Sequence, residues 1–478
     1  MITKIIFLIS LLFFILLGFF LPDEMNMELM ILHLIFVALI FLTSFLTPER
    51  ISSLKGQYFK HSIFFLIGFV VVHFQHILDF VTGAINSSYS YIWVNEDVVL
   101  KALNFSVIGL TSFLLGYYFD RNDKLLGKRV KRKFEERPYK AKFLLWLSAF
   151  FLVSYFFTVN PLYLAGHYGE VEMGTGATYF ILLFEVVVSA YIIQMCRNAT
   201  IEDRYFRNIW EYIKYLGRPF FICLVVYLVS VMFSGDRGPI ITFSLIFLSG
   251  YLMVTKFKIR LYFYVLFIIL GGFLFTILGS IRSQDKSLGF FERFQSSLNK
   301  ESRFPQKSIL PFTQELATSI RAYHTTVNYI PERHDFLFGR FQYQQLSLGI
   351  PFFNPLNNLM FGDSHYKYRS SARFVTWINQ GDFPYSGEGT TCLADFYFDF
   401  GLFGIVIGML LFGYLFRILE VSMFSQGLPS LFISCMIITY IGNSIYIARS
   451  SFGFELRTVL WVFAILLINK YVFNMKRT

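Results

Sequence analysis

The chain has little charge and little cysteine, and each shortage excludes a class of protein. Only 15% of its 478 residues are Asp, Glu, Lys or Arg. Soluble domains carry about 25%, so a soluble multidomain enzyme is excluded, and so is a disordered chain, which needs high charge and low hydrophobicity. Four cysteines cannot staple a fold of this length. Cys196, Cys223 and Cys435 fall in or near the inner halves of apolar segments, which leaves Cys392 alone on the opposite side. The sequence also lacks a G-x-x-x-x-G-K-[ST] loop, a G-x-G-x-x-G unit and an H-E-x-x-H motif. The net charge of +11 does not point to nucleic acid, because no basic stretch is joined to a soluble domain.

What is present is apolar and aromatic. Hydrophobic residues make up 55% of the chain, with 61 Phe and 29 Tyr. That composition predicts an all-α polytopic membrane protein. Apolar runs of about 17–25 residues can cross a bilayer. We expect about twelve, near 5–21, 28–46, 62–80, 99–118, 143–158, 178–195, 219–234, 239–255, 261–280, 391–416, 430–448 and 457–474. The first is read as a retained helix, because Leu21-Pro22-Asp23-Glu24 is not a small-residue cleavage site.

Loop charges set the orientation. The segment Asp120–Lys142 is strongly basic, Arg197, Arg204, Arg207, Lys214 and Arg218 follow the sixth span, and Lys256, Lys258 and Arg260 follow the eighth. The C-terminus carries Lys476 and Arg477. All of these share one side if both termini are cytoplasmic, as the positive-inside rule requires. The expected organisation is therefore nine spans in residues 1–282, an outer cap loop over 283–389, and three spans in 390–478. A loop of that length inside a packed chain is usually functional. No internal repeat is visible.

Several residues are unusual for their place. Arginine occurs on the side that normally avoids it: Arg237 in the tight turn Ser234–Pro239, Arg282 after the ninth span, Arg449 after the eleventh, and Arg457 at the start of the twelfth. The cap adds Arg293, Arg303, Arg321, Arg333, Arg340, Arg369 and Arg373. A planar guanidinium fork suits phosphate oxygens, as a lipid-linked pyrophosphate would require. The same side chains also suit pairing with cap acids such as Glu292, Glu315, Glu332 and Asp335. Asp395 and Asp399 are four apart where the cap enters the tenth span, so both lie on one helical face. An acid at such a depth is usually functional, although one at a helix start also suits the helix dipole. Gly404 and Gly408 form a G-x-x-x-G pair for close helix contact.

Histidines 324, 334 and 365 lie in the cap without metal-ligand spacing. His324 shares a helical face with Arg321 and is a candidate proton acceptor. His73, Gln75, His76 and Asp79 near the outer end of the third span are read as lining a polar cavity, with a metal site as the alternative. Glu185 is a further intramembrane acid. Tyr323, Tyr329, Tyr343, Tyr366, Tyr368, Trp377 and Tyr385 give the cap rings that stack on sugars or sit at the interface.

These residues resemble the O-antigen or capsule repeat-unit polymerases (Wzy type), distant kin of the O-antigen ligases. The resemblance at motif level covers about Ser234–Gly413. Arg237-Gly238 resembles the Arg-Gly pair that closes a short outer turn in that family. Ala394, Asp395, Tyr397, Phe400, Gly401 and Gly404 resemble its small-acid-aromatic entry into the next span, where the family more often has glutamate. The resemblance implies a GT-C-like fold and a metal-independent glycosyltransferase of the bacterial inner membrane, working on the periplasmic side without a cofactor. No soluble domain is large enough for a nucleotide sugar, so the donor is already lipid-linked. Undecaprenyl-pyrophosphate-linked oligosaccharide serves as donor and acceptor, with the bilayer, a chain-length regulator and a flippase as partners. On this reading Asp395, His324 and Arg237 are catalytic, and Arg282, Arg321, Arg373, Arg369, Arg449 and Tyr397 bind substrate. The alternatives are a lipid-linked oligosaccharide flippase or transporter, disfavoured by the asymmetric cap, and an O-antigen ligase.

Overall fold

The computed structural model describes all residues except 1, 48, 50, 90, 120–136, 168–170, 237, 264, 267–270, 273–276, 278–280, 282–289, 300–303, 350–358, 360–365, 426, 452 and 475–478. The described chain is all-α apart from turns and loops. Its membrane-length helices are α2 (Met27–Leu46), α3 (His61–Val81), α4 (Val99–Tyr117), α6 (Thr175–Ile201), α9 (Gly238–Thr255), α14 (Cys392–Phe424) and α16 (Phe454–Ile468) with its extension to Phe473. Among the described residues these make seven helices long and apolar enough to span. An eighth is the pair α7 (Ile209–Leu216) and α8 (Arg218–Ser234), bent by 99° at Gly217. Shorter apolar helices are α1 (Ile2–Leu17), α5 (Lys142–Thr158) and α15 (Leu431–Ile447). The expected spans overlap described helices, of which seven, or eight with the bent pair, are of membrane length, and 261–280 lies largely outside the described residues. Small helices α10 (Phe290–Asn299), α11 (Ile320–Tyr329), α12 (Arg340–Gly349) and α13 (Ser371–Gln380) lie between α9 and α14.

Helix α14 has 33 residues. Straight, it would run about 50 Å, well beyond a hydrocarbon core of about 30 Å. It breaks at Phe400 and Gly401, whose backbones leave helical geometry. Gly401 takes φ 59°, and a Cβ there would meet the Phe336 ring at 2.9 Å, so only glycine fits. The carbonyls freed by the break are not left unpaired. Phe398 O accepts from Leu337 N at 2.9 Å and Asp399 O from Phe338 N at 3.1 Å. Phe338 is itself held at φ 48°, a conformation that costs a bulky residue about 1–3 kcal/mol. The first two turns of α14 lean back on its second half: a Cβ at Gly404 would lie 2.2 Å from Phe396 O, and one at Gly408 would lie 2.5 Å from the Phe396 ring. The G-x-x-x-G pair thus serves a fold within one segment rather than a contact with a separate helix. Further along, Gly116 of α4 and Gly413 of α14 let the two backbones touch. A Cβ at either would sit 1.9 Å from the opposing carbonyl.

The C-terminal part of α14 is locked by charge. Arg417, 1% exposed, donates from Nη1 and Nη2 to the two Glu49 carboxylate oxygens at 2.8 and 2.9 Å. Burial works to raise the Glu49 carboxyl, yet the Arg417 guanidinium holds it down at about 2. One turn on, Glu420 accepts from Ser62 N at 2.7 Å and Tyr117 Oη at 2.6 Å. These bonds join α14 to α4 and to both ends of the α2–α3 loop.

The C-terminal end of α3 holds the segment around Ser308–Thr313. Asp79 Oδ1 accepts from Ser308 Oγ and Ile309 N, both at 2.9 Å. Gln75 donates to Ser308 Oγ at 2.7 Å and Leu310 O at 2.9 Å, and accepts from Thr313 Oγ1 at 2.6 Å. His76 Nδ1 lies 2.9 Å from Asp79 Oδ2. These polar residues are buried in the docking seam. His324 on α11 closes the seam, fully buried and stacked on Trp93 at 5.8 Å. Burial pushes its imidazole down to about 3.

Two consequences are testable. Arg417→Ala leaves Glu49 with only Lys60 at 3.8 Å and the Ile51 amide and should cost about 1.5–3 kcal/mol, read as a lowered unfolding midpoint in detergent. Replacing both Arg417 and Glu49 with apolar residues should cost less. His324 stays neutral when docked but ionises below 6.5 when released, so acid favours release. His324 alone should contribute a loss of about 1.4 kcal/mol per pH unit below 6.5, seen as faster limited proteolysis of residues 304–349. His324→Gln should lessen that slope without abolishing it, because His73 is buried in the same seam, and an unchanged slope would refute the assignment.

Candidate active site

The start of α14 is a junction of three sequence-distant segments. Thr391 caps the helix by accepting from Ala394 N at 3.1 Å. Asp395 follows in the first turn, where the helix dipole favours a carboxylate. It is fully buried. Its Oδ1 accepts from Thr390 Oγ1 at 3.2 Å, and its Oδ2 accepts from Ser451 Oγ. Gln345 of α12 donates to the same Ser451 hydroxyl at 2.7 Å. Cys392 N bonds Ala448 O, so α14 begins against the α15–α16 turn. That turn carries Arg449, two residues before Ser451, half-buried. Asp399, one turn beyond Asp395, is 1% exposed. It faces the backbone of Gly339 and Phe341 and the Gln342 side chain.

A second polar network lies beside this junction. Glu455 of α16 accepts from Asn443 Nδ2 at 2.8 Å, and Asn443 Oδ1 accepts from Thr242 Oγ1 at 2.9 Å. Glu185 of α6 accepts from Tyr227 Oη at 2.6 Å. Glu185 is near enough to feel the charges of both Glu455 and Asp236. Asp236 stands in the tight turn between α8 and α9, where its Oδ1 accepts from Gly238 N at 3.1 Å. Arg237 lies between these two residues but outside the described ones, as do Arg282, Arg303 and His365. Arg457 reaches over the Trp461 ring at 6.0 Å.

The cap arginines divide into anchored and exposed. Arg321 donates from Nε to Glu388 Oε2 at 2.9 Å and from Nη1 to Tyr91 O at 3.0 Å. It ties α11 to the segment leading into α14. Arg293 is buried and donates to Ala165 O at 2.8 Å. Arg340 stacks over the Tyr368 ring at 3.8 Å. Arg333, Arg369 and Arg373 are exposed; Arg369 ends the short 3-10 turn Tyr366–Arg369, and Arg373 lies in the first turn of α13. Tyr397 donates to Ile330 O at 3.3 Å and packs on Phe105.

The structure therefore brings Asp395 and the Arg449 turn together and sets His324 apart in the docking seam. Among the described residues, no group of three or more His, Cys, Asp or Glu is placed to hold a metal ion. Sequence reading missed Thr390, Ser451, Gln345, Asn443 and Glu455. Asn443 and Glu455 carried a usable signal, being polar groups in or beside apolar runs. Ser451 and Gln345 carried none.

A family model described as O-antigen polysaccharide polymerase Wzy matches residues 1–477. No curated protein and no solved structure matches the chain. This multi-pass helical membrane protein belongs to the Wzy family of O-antigen polysaccharide polymerases.

Proposed function

We propose that the chain joins lipid-linked oligosaccharide repeats by block transfer at the outer face of the bacterial inner membrane. Both termini are cytoplasmic, nine spans fill residues 1–282, residues 283–389 form the outer cap, and three spans fill 390–478. The donor is a polymer on undecaprenyl pyrophosphate and the acceptor is one lipid-linked repeat. A hydroxyl oxygen of the acceptor's terminal sugar bonds to the donor's anomeric carbon. The bond from that carbon to the pyrophosphate oxygen breaks, undecaprenyl pyrophosphate leaves, and the hydroxyl proton passes to a carboxylate.

The observation that carries this reading is the junction at the start of α14. It sets a carboxylate, Asp395, against a turn that bears Arg449. Asp395 is the proton acceptor. Its hydrogen bonds to Thr390 and Ser451 hold it aimed, and the incoming hydroxyl replaces one of them. Arg449, Arg237 and Arg282 stabilise charge on the leaving pyrophosphate, which arginines do without a metal. Arg369 and Arg373 meet the glycan or its phosphates from the cap. Arg321 positions the cap through Glu388, Tyr397 packs the junction, and His324 holds the cap docked.

Three outcomes test the reading. Asp395→Asn should lower polymer formation by roughly 100-fold or more with membrane insertion unchanged, and Ser451→Ala should lower it less. Arg237→Ala should abolish long polymer, and a normal length distribution in that variant would remove Arg237 from the site. Deleting the chain should collapse the surface ladder to a single repeat. Complete loss of surface glycan with lipid-linked polymer retained would instead indicate a ligase, and lipid-linked single repeats accumulating on the cytoplasmic face would indicate a flippase.

A further inference from the structure

Glu455 and Asn443 touch no reacting group in the proposed mechanism, yet they close the base of the turn that carries Ser451 and Arg449. Glu455 is 3% exposed in the first turn of α16. Asn443 lies in the last part of α15 and donates from Nδ2 to Glu455 Oε2 at 2.8 Å. That bond joins the helix before the turn, residues 448–453, to the helix after it. On its other side Asn443 Oδ1 accepts from Thr242 Oγ1 of α9 at 2.9 Å. Packing fixes the register of this second bond. A Cβ at Gly442 would meet Ile246 Cγ1 at 2.8 Å and Thr242 Cγ2 at 3.2 Å, so α9 and α15 approach closely where the bond forms.

The turn meets the candidate site at three points. Ala448 O accepts from Cys392 N at 3.4 Å. Ser451 Oγ donates to Asp395 Oδ2 and accepts from Gln345 Nε2. Gly453 packs on α12, where an added Cβ would meet Gln345 Cβ at 2.7 Å. Ser451 lies between the two ends of the Asn443–Glu455 bond in sequence. A shift of α16 against α15 therefore moves the Ser451 hydroxyl relative to Asp395.

A carboxamide that uses both its donor and its acceptor holds two partners in one geometry, and a satisfied buried network of this kind is rigid. The demand for rigidity is high here, because a misplacement of about 1 Å at a reacting group can cost 100-fold in rate. We infer that Asn443 is a positioning residue for the transfer reaction. By joining Thr242 to Glu455 it fixes the α15–α16 turn, and through Ser451 it aims the Asp395 carboxylate at the acceptor hydroxyl. This role rests on Asp395 being the proton acceptor. Glu455 supplies the accepting oxygen at one end of the brace and takes no proton from substrate.

The test uses the purified full chain in neutral detergent, with lipid-linked repeat extracted from cells that lack the chain as substrate. The kcat, KM and unfolding midpoint are measured for each variant. Asn443→Leu removes both bonds at similar volume and should lower kcat about tenfold, with KM changed by about twofold or less. In a Ser451→Ala background the same substitution should lower kcat by about twofold or less, because the route through Ser451 is already cut. A full loss in that background makes the effect a general structural one and overturns the inference. So does an unchanged kcat in Asn443→Leu. Thr242→Val is a milder cut at the same brace and should lower kcat about threefold, while Thr242→Ser, which keeps the hydroxyl, should match the native chain. This pair carries the test if Asn443→Leu does not fold, and equal rates in the two variants overturn the inference. Glu455→Gln keeps an oxygen for Asn443 and should retain most of the rate. A loss as deep as that of Asp395→Asn would make Glu455 an acid or base in the reaction and overturn the positioning role. Full activity in Asp395→Asn would instead remove the proton-acceptor reading itself, whereas a loss in Asp395→Asn beside an unchanged Asn443→Leu removes this inference alone.

Discussion

A bilayer supplies no water to a broken helix, and that constraint organises this protein. Helix α14 must enter from the cap, turn sharply and cross, and the turn frees carbonyls that hydrocarbon cannot satisfy. The chain answers with a piece of its own cap. Leu337 and Phe338 donate their amides to Phe398 and Asp399, so the cap is part of the hydrogen bonding of a membrane helix rather than an ornament above it. Everything near the candidate site follows from this bond pattern. Because 336–338 is pinned to the break, α12 is carried to the start of α14. Gln345 therefore reaches Ser451, and Ser451 reaches Asp395.

The ends of the bundle are stabilised by different physics. At the end that carries Arg417, the Arg417–Glu49 fork and Glu420 form an ionic lock, in which each charge makes the other tolerable. At the opposite end of α3 the seam with residues 308–324 is held mainly by neutral hydrogen bonds, together with Asp79 and three buried histidines, His73, His76 and His324. The ionic lock resists opening. The seam rests on bonds that water can replace.

Several residues unusual for their place were legible in the sequence, but their partnerships were not. Asp395 stood out as an acid at the mouth of a span, and it sits at the junction. Arg321 stood out equally, yet it is spent on Glu388, 67 residues away, a distance over which no local pattern speaks. His73, His76 and Asp79 looked like a cavity lining because their spacing puts them on one face. They form the cap dock, because the segment at Ser308–Thr313 happens to be what faces them. Gly404 and Gly408 looked like a helix-pairing motif, and their partner is Phe396 of the same helix.

Hydropathy and loop charge alone determined that this is a helical membrane protein, roughly where its spans lie, and which arginines and acids are out of place. Those conclusions rest on composition and on periodicity along one segment, which short-range physics fixes. Tertiary structure decided which acid is held by which hydroxyl, where α14 breaks, and which arginines are anchored. Most of these depend on contacts between segments far apart in sequence, 56 residues for Asp395 and Ser451 and 67 for Arg321 and Glu388. A buried polar group takes whatever partner the packing of the whole chain brings within about 3 Å.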